Sequence, residues 1–205
     1  MTPTIKAIFT DIGGVLLTNG WDQAARDRAC QRFGLDAGEL HERHHLTFDT
    51  YEEGKLSLNE YLERTVFFEP RSFSVDDFRA FMFAQSRALP DMLEFLAAIK
   101  AMYQLKVVAV SNEGRELTQH RVQAFRLGDV IDTFVSSCFV HVRKPDADIF
   151  NMALDMTQVA AGDVLYLDDR SMFVDVARGL GLNGVVHKTF AETRAEFGAL
   201  GLEWR

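Results

Sequence analysis

The chain has 205 residues, enough for one large domain or a core with a smaller insert. Hydrophobic residues make up 47% and charged residues 25%, an ordinary globular composition that is ample for a buried core. Thirty acidic against 22 basic residues give a net charge of -8, which argues against a nucleic-acid or anionic-membrane surface. It leaves anionic small molecules open, because a bound cation inverts the local field. Cys30 and Cys138 lie far apart without CxxC spacing, so neither a zinc knuckle nor a disulfide framework is expected. No run reaches the roughly 18 apolar residues that span a bilayer, and no basic region leads into an apolar stretch and cleavage site. The expectation is a soluble cytoplasmic protein with reduced thiols.

Taken in order, Ile5 to Thr10 reads as a buried strand that runs into Asp11-Ile12-Gly13-Gly14-Val15. Residues 20–88 then read as helical: Asp22 to Phe33, Ala37 to Thr47, Leu58 to Val66 and Val75 to Ser86. Asp36-Ala37-Gly38-Glu39, Ser57-Leu58-Asn59-Glu60 and Ser74-Val75-Asp76-Asp77 each supply a capping-box-like start. From Pro90 the pattern alternates. A helix carrying Leu93, Leu96, Ile99 and Met102 precedes a strand at Val107 to Val110. A helix around Leu117 to Phe125, a strand at Thr133 to Ser136 and a helix at Ala147 to Met156 follow. Val164 to Leu167 is a strand stopping at Asp168-Asp169. A helix with Val174, Ala177 and Leu180 then ends at Gly179 or Gly181, and Gly184 to His187 is the last strand. This alternation predicts an α/β fold: a Rossmann-like parallel sheet of about five strands flanked by helices, interrupted by an inserted all-helical cap. The expected division is a core of residues 1–19 and 89–205 with a cap of 20–88.

In such a sheet, ligands gather beyond the carboxyl ends of the strands. Four polar segments sit there or in the loop before a helix: Asp11, Ser111-Asn112, Lys144-Pro145 and Asp168-Asp169. Three carboxylates in one pocket repel one another, so a divalent cation is expected, and all-oxygen ligation with room for water suits Mg²⁺. Lys144 and Ser111 are then placed to hold a phosphate while Asp11 attacks phosphorus.

The segments FTDIGGVLL, VAVSNEG, VRKPDADIF and LYLDDR, in this order, resemble the four signatures of the haloacid dehalogenase-like hydrolase superfamily. Within it the chain is similar to helical-cap members such as sugar-1-phosphate phosphatases and the N-terminal phosphatase domain of soluble epoxide hydrolase. The resemblance covers nearly the whole chain, the insert matching the cap that follows the first loop. It implies that Asp11 is the nucleophile and a metal ligand, with the Gly13 carbonyl and Asp169 as further direct ligands. Asp168 acts through water or orients the ligands. It implies that Ser111, Asn112, Gly13, Gly14 and Lys144 surround the phosphate, and that Lys144 and Ser111 join Asp11 in catalysis. The implied substrate is a small phosphorylated metabolite, and the protein is expected to be a monomer or homodimer.

One residue departs from the pattern. Phosphatases of the superfamily carry a second Asp two residues after the nucleophile, which protonates the leaving oxygen and later activates water; this chain has Gly13. General acid–base help is worth about 10²–10⁴-fold. Either the cap supplies another acid, or the substrate has a good leaving group, or the protein binds a phosphometabolite or partner with weak or no turnover. Relatives resembling the sugar-1-phosphate branch also read Asp-x-Gly. A 2-haloacid dehalogenase is the remaining alternative, although those relatives carry Tyr at this place.

Four readings concern the insert and its surroundings. His41-Glu42-Arg43-His44-His45 matches the zinc-protease pattern H-E-x-x-H, but no third ligand is evident. A solvated histidine-rich helix, or contact with substrate and proton donation from the cap, competes with it. Asn19 and Trp21 follow the first loop closely enough to face substrate, and Trp21 reads equally as a packing residue. Phe67, Phe68, Phe73, Phe78, Phe81 and Phe83 read as core or dimer packing, and Arg170 as a salt-bridge partner of the acids beside it.

Overall fold

The computed structural model describes residues 4–204; the first three residues and Arg205 of the expected core lie outside the described residues. Strand β1 (Ala7–Thr10) is followed by four helices, α1 (Gln23–Phe33), α2 (Ala37–Glu52), α3 (Leu58–Thr65) and α4 (Val75–Phe83). The alternating half then runs α5 (Pro90–Tyr103), β2 (Lys106–Ser111), α6 (Arg115–Ala124), β3 (Thr133–Ser136), a short α7 (Ser137–Val140) and α8 (Ala147–Thr157). It closes with β4 (Val164–Asp168), α9 (Ser171–Gly179), β5 (Asn183–Val186) and α10 (Phe190–Ala199). The five strands are all parallel, in the order β3-β2-β1-β4-β5. Central β1 therefore has β2 on one side and β4 on the other, with Thr10 level with Ala109 and Leu167.

Strand residues alternate between two layers because successive side chains leave opposite faces. Ile8, Ala109 and Leu165 pack with Phe95 and Ile99 of α5 and Phe197 of α10. Phe9, Val108 and Tyr166 pack with Phe150 of α8 and Val174 of α9. The α10 helix was not anticipated, although Phe190, Thr193 and Phe197 stand at helical spacing. Thr189 caps it by accepting from the Glu192 N–H, and Phe197 lies 5.1 Å from Phe95.

The four-helix unit has its own core of Leu40, Tyr61, Leu62, Phe78 and Met82, joined by Leu117 from α6. Ser57 and Ser74 form reciprocal capping boxes with Glu60 and Asp77, as the sequence predicts. Phe33, Phe67, Phe73, Phe78 and Phe81 form one aromatic cluster, with Phe33 and Phe78 centroids 5.0 Å apart. Phe83 instead stacks on His120 at 4.4 Å, and Phe68 lies under the Arg43 guanidinium at 3.5 Å.

Two helix boundaries move for tertiary reasons. Helix α2 continues five residues beyond the expected Thr47, to Glu52, because Arg143 holds Asp49 and Glu52 on its last turns. Helix α4 stops at Phe83 rather than Ser86, because Gln85 and Ser86 are used at the joint with the sheet. There Thr18 Oγ1 donates to the Gln85 carbonyl at 3.1 Å, the Thr18 N–H donates to the Arg87 carbonyl at 2.9 Å, and Leu17 bridges Ala88 in antiparallel fashion. The unit thus leaves and rejoins the sheet through two paired chain segments.

Candidate active site

The carboxyl end of β1 delivers Asp11, whose N–H donates to the Leu167 carbonyl at 2.9 Å, so the sheet ladder itself fixes its position. Neighbouring β2 ends in Ser111 and β4 ends in Asp168. The loop before α8 brings Lys144 between them. Its Nζ lies 2.7 Å from Asp168 Oδ2 and 3.3 Å from Asp11 Oδ1, and the residue is 1% exposed. Asn112 locks that loop, since its side-chain Nδ2 donates to the Lys144 carbonyl and its Oδ1 accepts from the Lys144 N–H, both at 2.8 Å. The Asn112 amide therefore serves the lysine loop at both ends, which the sequence reading, placing it on the phosphate, did not foresee.

The paired acids divide their work. Asp168 is fully buried and saturated: Oδ2 accepts from Lys144 and from the Tyr166 hydroxyl, and Oδ1 accepts from the Arg170 N–H. In Asp169, Oδ1 is buried without a hydrogen-bond partner, and Oδ2 has only a 3.4 Å contact from Asn19. Asp11, Asp168 and Asp169 each offer an oxygen within 4.8 Å of the others. Burial pushes the Asp11 carboxyl above its ordinary range; Lys144 opposes that, and Asp168 adds to it. Burial also raises Asp169. Burial works against the Lys144 charge, but Asp11 and Asp168 more than offset it and hold the ammonium above its usual value. A buried carboxylate oxygen with no donor is costly unless a cation meets it, so one ammonium among three carboxylates leaves a place suited to a hard divalent ion.

Gly14 explains the second glycine of the first loop. Its φ is +73°, a left-handed conformation that side chains rarely adopt, and a Cβ there would collide with the Asp169 carboxylate. At Gly13 a Cβ would meet Asn19 Oδ1 at 3.0 Å and Arg121 Nη1 at 3.7 Å.

A cavity of about 330 Å³ opens over these groups, with Asp11, Ser111 and Lys144 on its floor. Trp21, Arg26 and His44 of the helical unit form its opposite wall. Trp21 Nε1 donates to the Tyr61 hydroxyl at 2.9 Å, and that hydroxyl in turn meets His44 Nδ1 at 2.8 Å. Burial first, and then the positive charge of Arg26, push His44 down to about 3. Asn19 and Trp21 both line the cavity, and Trp21 also packs edge-on against Phe78 at 5.8 Å, so it serves in both of the roles the sequence left open.

The zinc pattern is not assembled. His41 spends Nε2 on Asp27 at 2.7 Å and Nδ1 on Arg26 at 3.3 Å, and His45 lies against Phe48. Among the described residues, the one cluster of three metal-ligating side chains is the aspartate trio. Arg170 corrects another expectation: its guanidinium lies over Phe173 at 5.7 Å rather than in a salt bridge with the adjacent acids, and it borders the cavity.

Glu113 and Arg121 went unrecognised in the sequence. Arg121 is 1% exposed and donates through Nη1 to Glu113 Oε1, through Nη2 to the Thr18 carbonyl and through Nε to Ser86 Oγ at 3.1 Å. Burial, opposed by Arg121 and reinforced by Asp11, pushes the Glu113 carboxyl up to about 7. A signal existed: Leu117, Thr118 and Arg121 share the buried face of α6, and a charge on such a face needs a partner.

Comparison with known proteins gives the chain a family and supports its fold. Residues 5–181 match the family model of the haloacid dehalogenase-like hydrolases. The chain is 24% identical over 203 residues to D-ribitol-5-phosphate phosphatase of Bacteroides thetaiotaomicron, covering 94% of this chain and 96% of that protein. A haloacid dehalogenase-family enzyme of the same organism, solved with magnesium and inorganic phosphate, superposes with a TM-score of 0.74 at 19% identity, covering 90% of this chain and 94% of that one. L-2-haloacid dehalogenase of Xanthobacter autotrophicus superposes with a TM-score of 0.63 at 18% identity, over 89% of this chain and 77% of that one.

Proposed function

The chain belongs to the haloacid dehalogenase-like hydrolases, and from that premise we propose that it is a Mg²⁺-dependent phosphatase of small phosphorylated metabolites, working through an aspartyl-phosphate on Asp11. The observation that carries the reading is the unpartnered Asp169 Oδ1 within the aspartate trio, beside the buried Lys144 ammonium. A carbon–halogen hydrolase has no use for a cation at that point, whereas a phosphate dianion needs one. The likeness to a D-ribitol-5-phosphate phosphatase supports a phosphorylated polyol or sugar as substrate, and the polar wall of Trp21, Arg26 and His44 is chemically suited to hydroxyl groups.

In this reading Asp11, the Gly13 carbonyl and Asp169 would hold the ion directly, while Asp168, taken up by Lys144, Tyr166 and the Arg170 N–H, orients the groups around it. When bound, Mg²⁺ supplies the positive charge that lets a phosphate dianion approach a carboxylate. Lys144, held between Asp11 and Asp168, keeps Asp11 ionised and offsets the charge that develops on the transferring phosphoryl group. The Ser111 hydroxyl holds a phosphate oxygen. Asp11 attacks phosphorus, the ester oxygen departs, and water then attacks phosphorus to release phosphate and regenerate the carboxylate.

The test is turnover of p-nitrophenyl phosphate and of a panel of sugar and polyol phosphates with and without Mg²⁺. Hydrolysis is expected only with the ion, and Asp11→Asn is expected to lower kcat by roughly 10⁴-fold or more. Turnover that survives that substitution, or halide release from a 2-haloacid without metal, overturns the reading.

A further inference from the structure

A smaller cavity of about 70 Å³ adjoins the one over Asp11, and Trp21, His44, Phe48, Glu52 and Asn112 line both. It is a side pocket of the candidate active site, set between the helical unit and the loop after β2. Tyr51 of α2 lines this pocket. The residue is 4% exposed, and its ring stacks on Tyr61 with centroids 4.7 Å apart. The Tyr51 hydroxyl is buried with no hydrogen-bond partner among the described residues, a state that is costly unless some other polar group meets it. Gly114, also on the pocket wall, makes room for that hydroxyl. Its φ of -66° is open to any residue, yet a Cβ there would run into Tyr51 Cζ and Oη. The glycine is therefore required by the phenol and not by the backbone.

We propose that this side pocket receives the end of the substrate opposite its phosphate, and that the Tyr51 hydroxyl binds the terminal hydroxymethyl group of a phosphorylated polyol there. The inference deepens the phosphatase reading above and rests on it. A water molecule takes up about 30 Å³, so the pocket holds roughly two groups of that size. That is room for the carbon and the oxygen of one hydroxymethyl group and too little for a sugar ring. Trp21, Phe48 and Leu117 offer apolar wall to the carbon, and Tyr51 offers its hydroxyl to the oxygen. His44 and Glu52 stand where the two cavities share their lining. Each is anchored from behind, His44 Nδ1 by the Tyr61 hydroxyl and Glu52 Oε2 by Arg143. Both are thereby placed along the passage from the phosphate end to the pocket, where the intermediate hydroxyls of a polyol lie.

The surroundings suit Tyr51 to this role. Burial, together with the nearby Glu116 and Glu113, raises the phenol well above its ordinary value, so it meets an alcohol as a neutral hydroxyl able both to donate and to accept. The rival occupant is a water held between Tyr51 and Glu116, whose Oε2 is likewise buried without a partner. Such a water would be a fixed part of the fold, bound with or without ligand. The lining that the pocket shares with the cavity over Asp11 favours the substrate instead. The two occupants also differ in what loss of the hydroxyl does to the free protein. A structural water makes the hydroxyl stabilising, whereas an unmet hydroxyl contributes nothing until substrate arrives.

The experiment is a cycle of binding measurements with Mg²⁺ in the Asp11→Asn background, where the nucleophile is gone and the ester stays intact. Calorimetry gives Kd for ribitol 5-phosphate and for 1-deoxyribitol 5-phosphate, which ends in a methyl group, each with Tyr51 present and with Tyr51→Phe. Either change alone is expected to raise Kd by about 3–10-fold, the size of one hydrogen bond. Both together are expected to raise it no further, because they remove the same contact. Urea unfolding of Tyr51→Phe without ligand is expected to show stability equal to or above that of wild type. Losses that add, a Kd that Tyr51→Phe leaves unchanged, or a fall in the stability of the free protein overturn the inference and leave Tyr51 holding a structural water. Turnover by wild type separates this result from the reading it rests on. Binding of ribitol 5-phosphate with no hydrolysis of it or of p-nitrophenyl phosphate overturns the phosphatase reading and not the subsite. Hydrolysis of p-nitrophenyl phosphate with no binding of the polyol ester overturns the subsite alone, and failure of both overturns both.

Discussion

The carboxyl edge of the sheet and the four-helix unit face each other across one cavity but are built on different principles. At the sheet edge several polar side chains are each held by a partner from another segment: Lys144 by Asp11 and Asp168, Asn112 by the Lys144 loop, and Glu113 by Arg121. The helical unit is held by short-range devices, reciprocal capping boxes and an aromatic cluster, with a short polar chain from Trp21 through Tyr61 to His44 on its cavity side. Substituting one group at the sheet edge strands its partners, whereas the unit's wall tolerates exchange of single side chains as long as its aromatic core persists. The proposed function assigns chemistry to the first region and selectivity to the second, a division that insertion of a helical unit into a parallel sheet makes possible.

The comparison breaks most sharply at Lys144. Lys144→Met leaves Asp11 and Asp168 facing each other without a cation, so the expected cost is about 3–5 kcal/mol of stability by urea unfolding, with loss of measurable kcat. Phe78→Ala is the counterpart in the helical unit. Phe78 is fully buried and touches Trp21, Phe33 and Phe73, so a loss of about 3–5 kcal/mol is again expected. The kinetic signature differs: KM for sugar and polyol phosphates rises and selectivity relaxes, while kcat on p-nitrophenyl phosphate changes little. If both variants lose kcat alike, the two regions are not separable.

Acid and base separate them next. Glu113 has its folded-state value raised from 4.5 to about 7, so the stability it contributes is complete below 4.5 and is lost as pH rises through 7. His44 is lowered from 6.5 to about 3, so its contribution is complete above 6.5 and is lost as pH falls toward 3. Thermal unfolding followed between pH 5 and about 8 is expected to show these opposite slopes. Glu113→Gln should remove the decline toward high pH, and His44→Gln the decline toward low pH; a Glu113 variant that leaves the upper slope intact contradicts the assignment. The smallest effect is at Ser57→Ala, which removes one capping box. It is expected to lower stability by about 1 kcal/mol without altering the pH profile of kcat, as urea titration and initial rates would report.

Much of this was legible in the chain itself. The apolar runs ending in Asp11, Ser111 and Asp168 identify strands and their carboxyl ends, because a parallel sheet buried on both faces needs continuous apolar stretches. Ser57 and Ser74 mark helix starts, because the orphan N–H groups of a first turn need a nearby acceptor. Lys144 is intermediate: its place before a helix points to function, but only packing shows it sealed between two carboxylates. The extra turns of α2 depend on Arg143, more than 90 residues away, and no local pattern reports such a partner. Arg170 likewise turned to Phe173 instead of its acidic neighbours, since adjacency in sequence does not bring side chains together on a turn.

By itself, then, the sequence determined the alternation of strands and helices, the place of the helical insert and the residues that end on one edge, because these follow from backbone periodicity and hydrogen-bond demand within a few residues. Only the tertiary structure decided that Asn112 serves the Lys144 loop, that Asp169 keeps a free oxygen while Asp168 is saturated, and that Arg121 fills the space ahead of Gly13 with Glu113 behind it. Those outcomes depend on burial and on charges brought close from distant segments, and the strength of both is set by the packed interior rather than by neighbours along the chain.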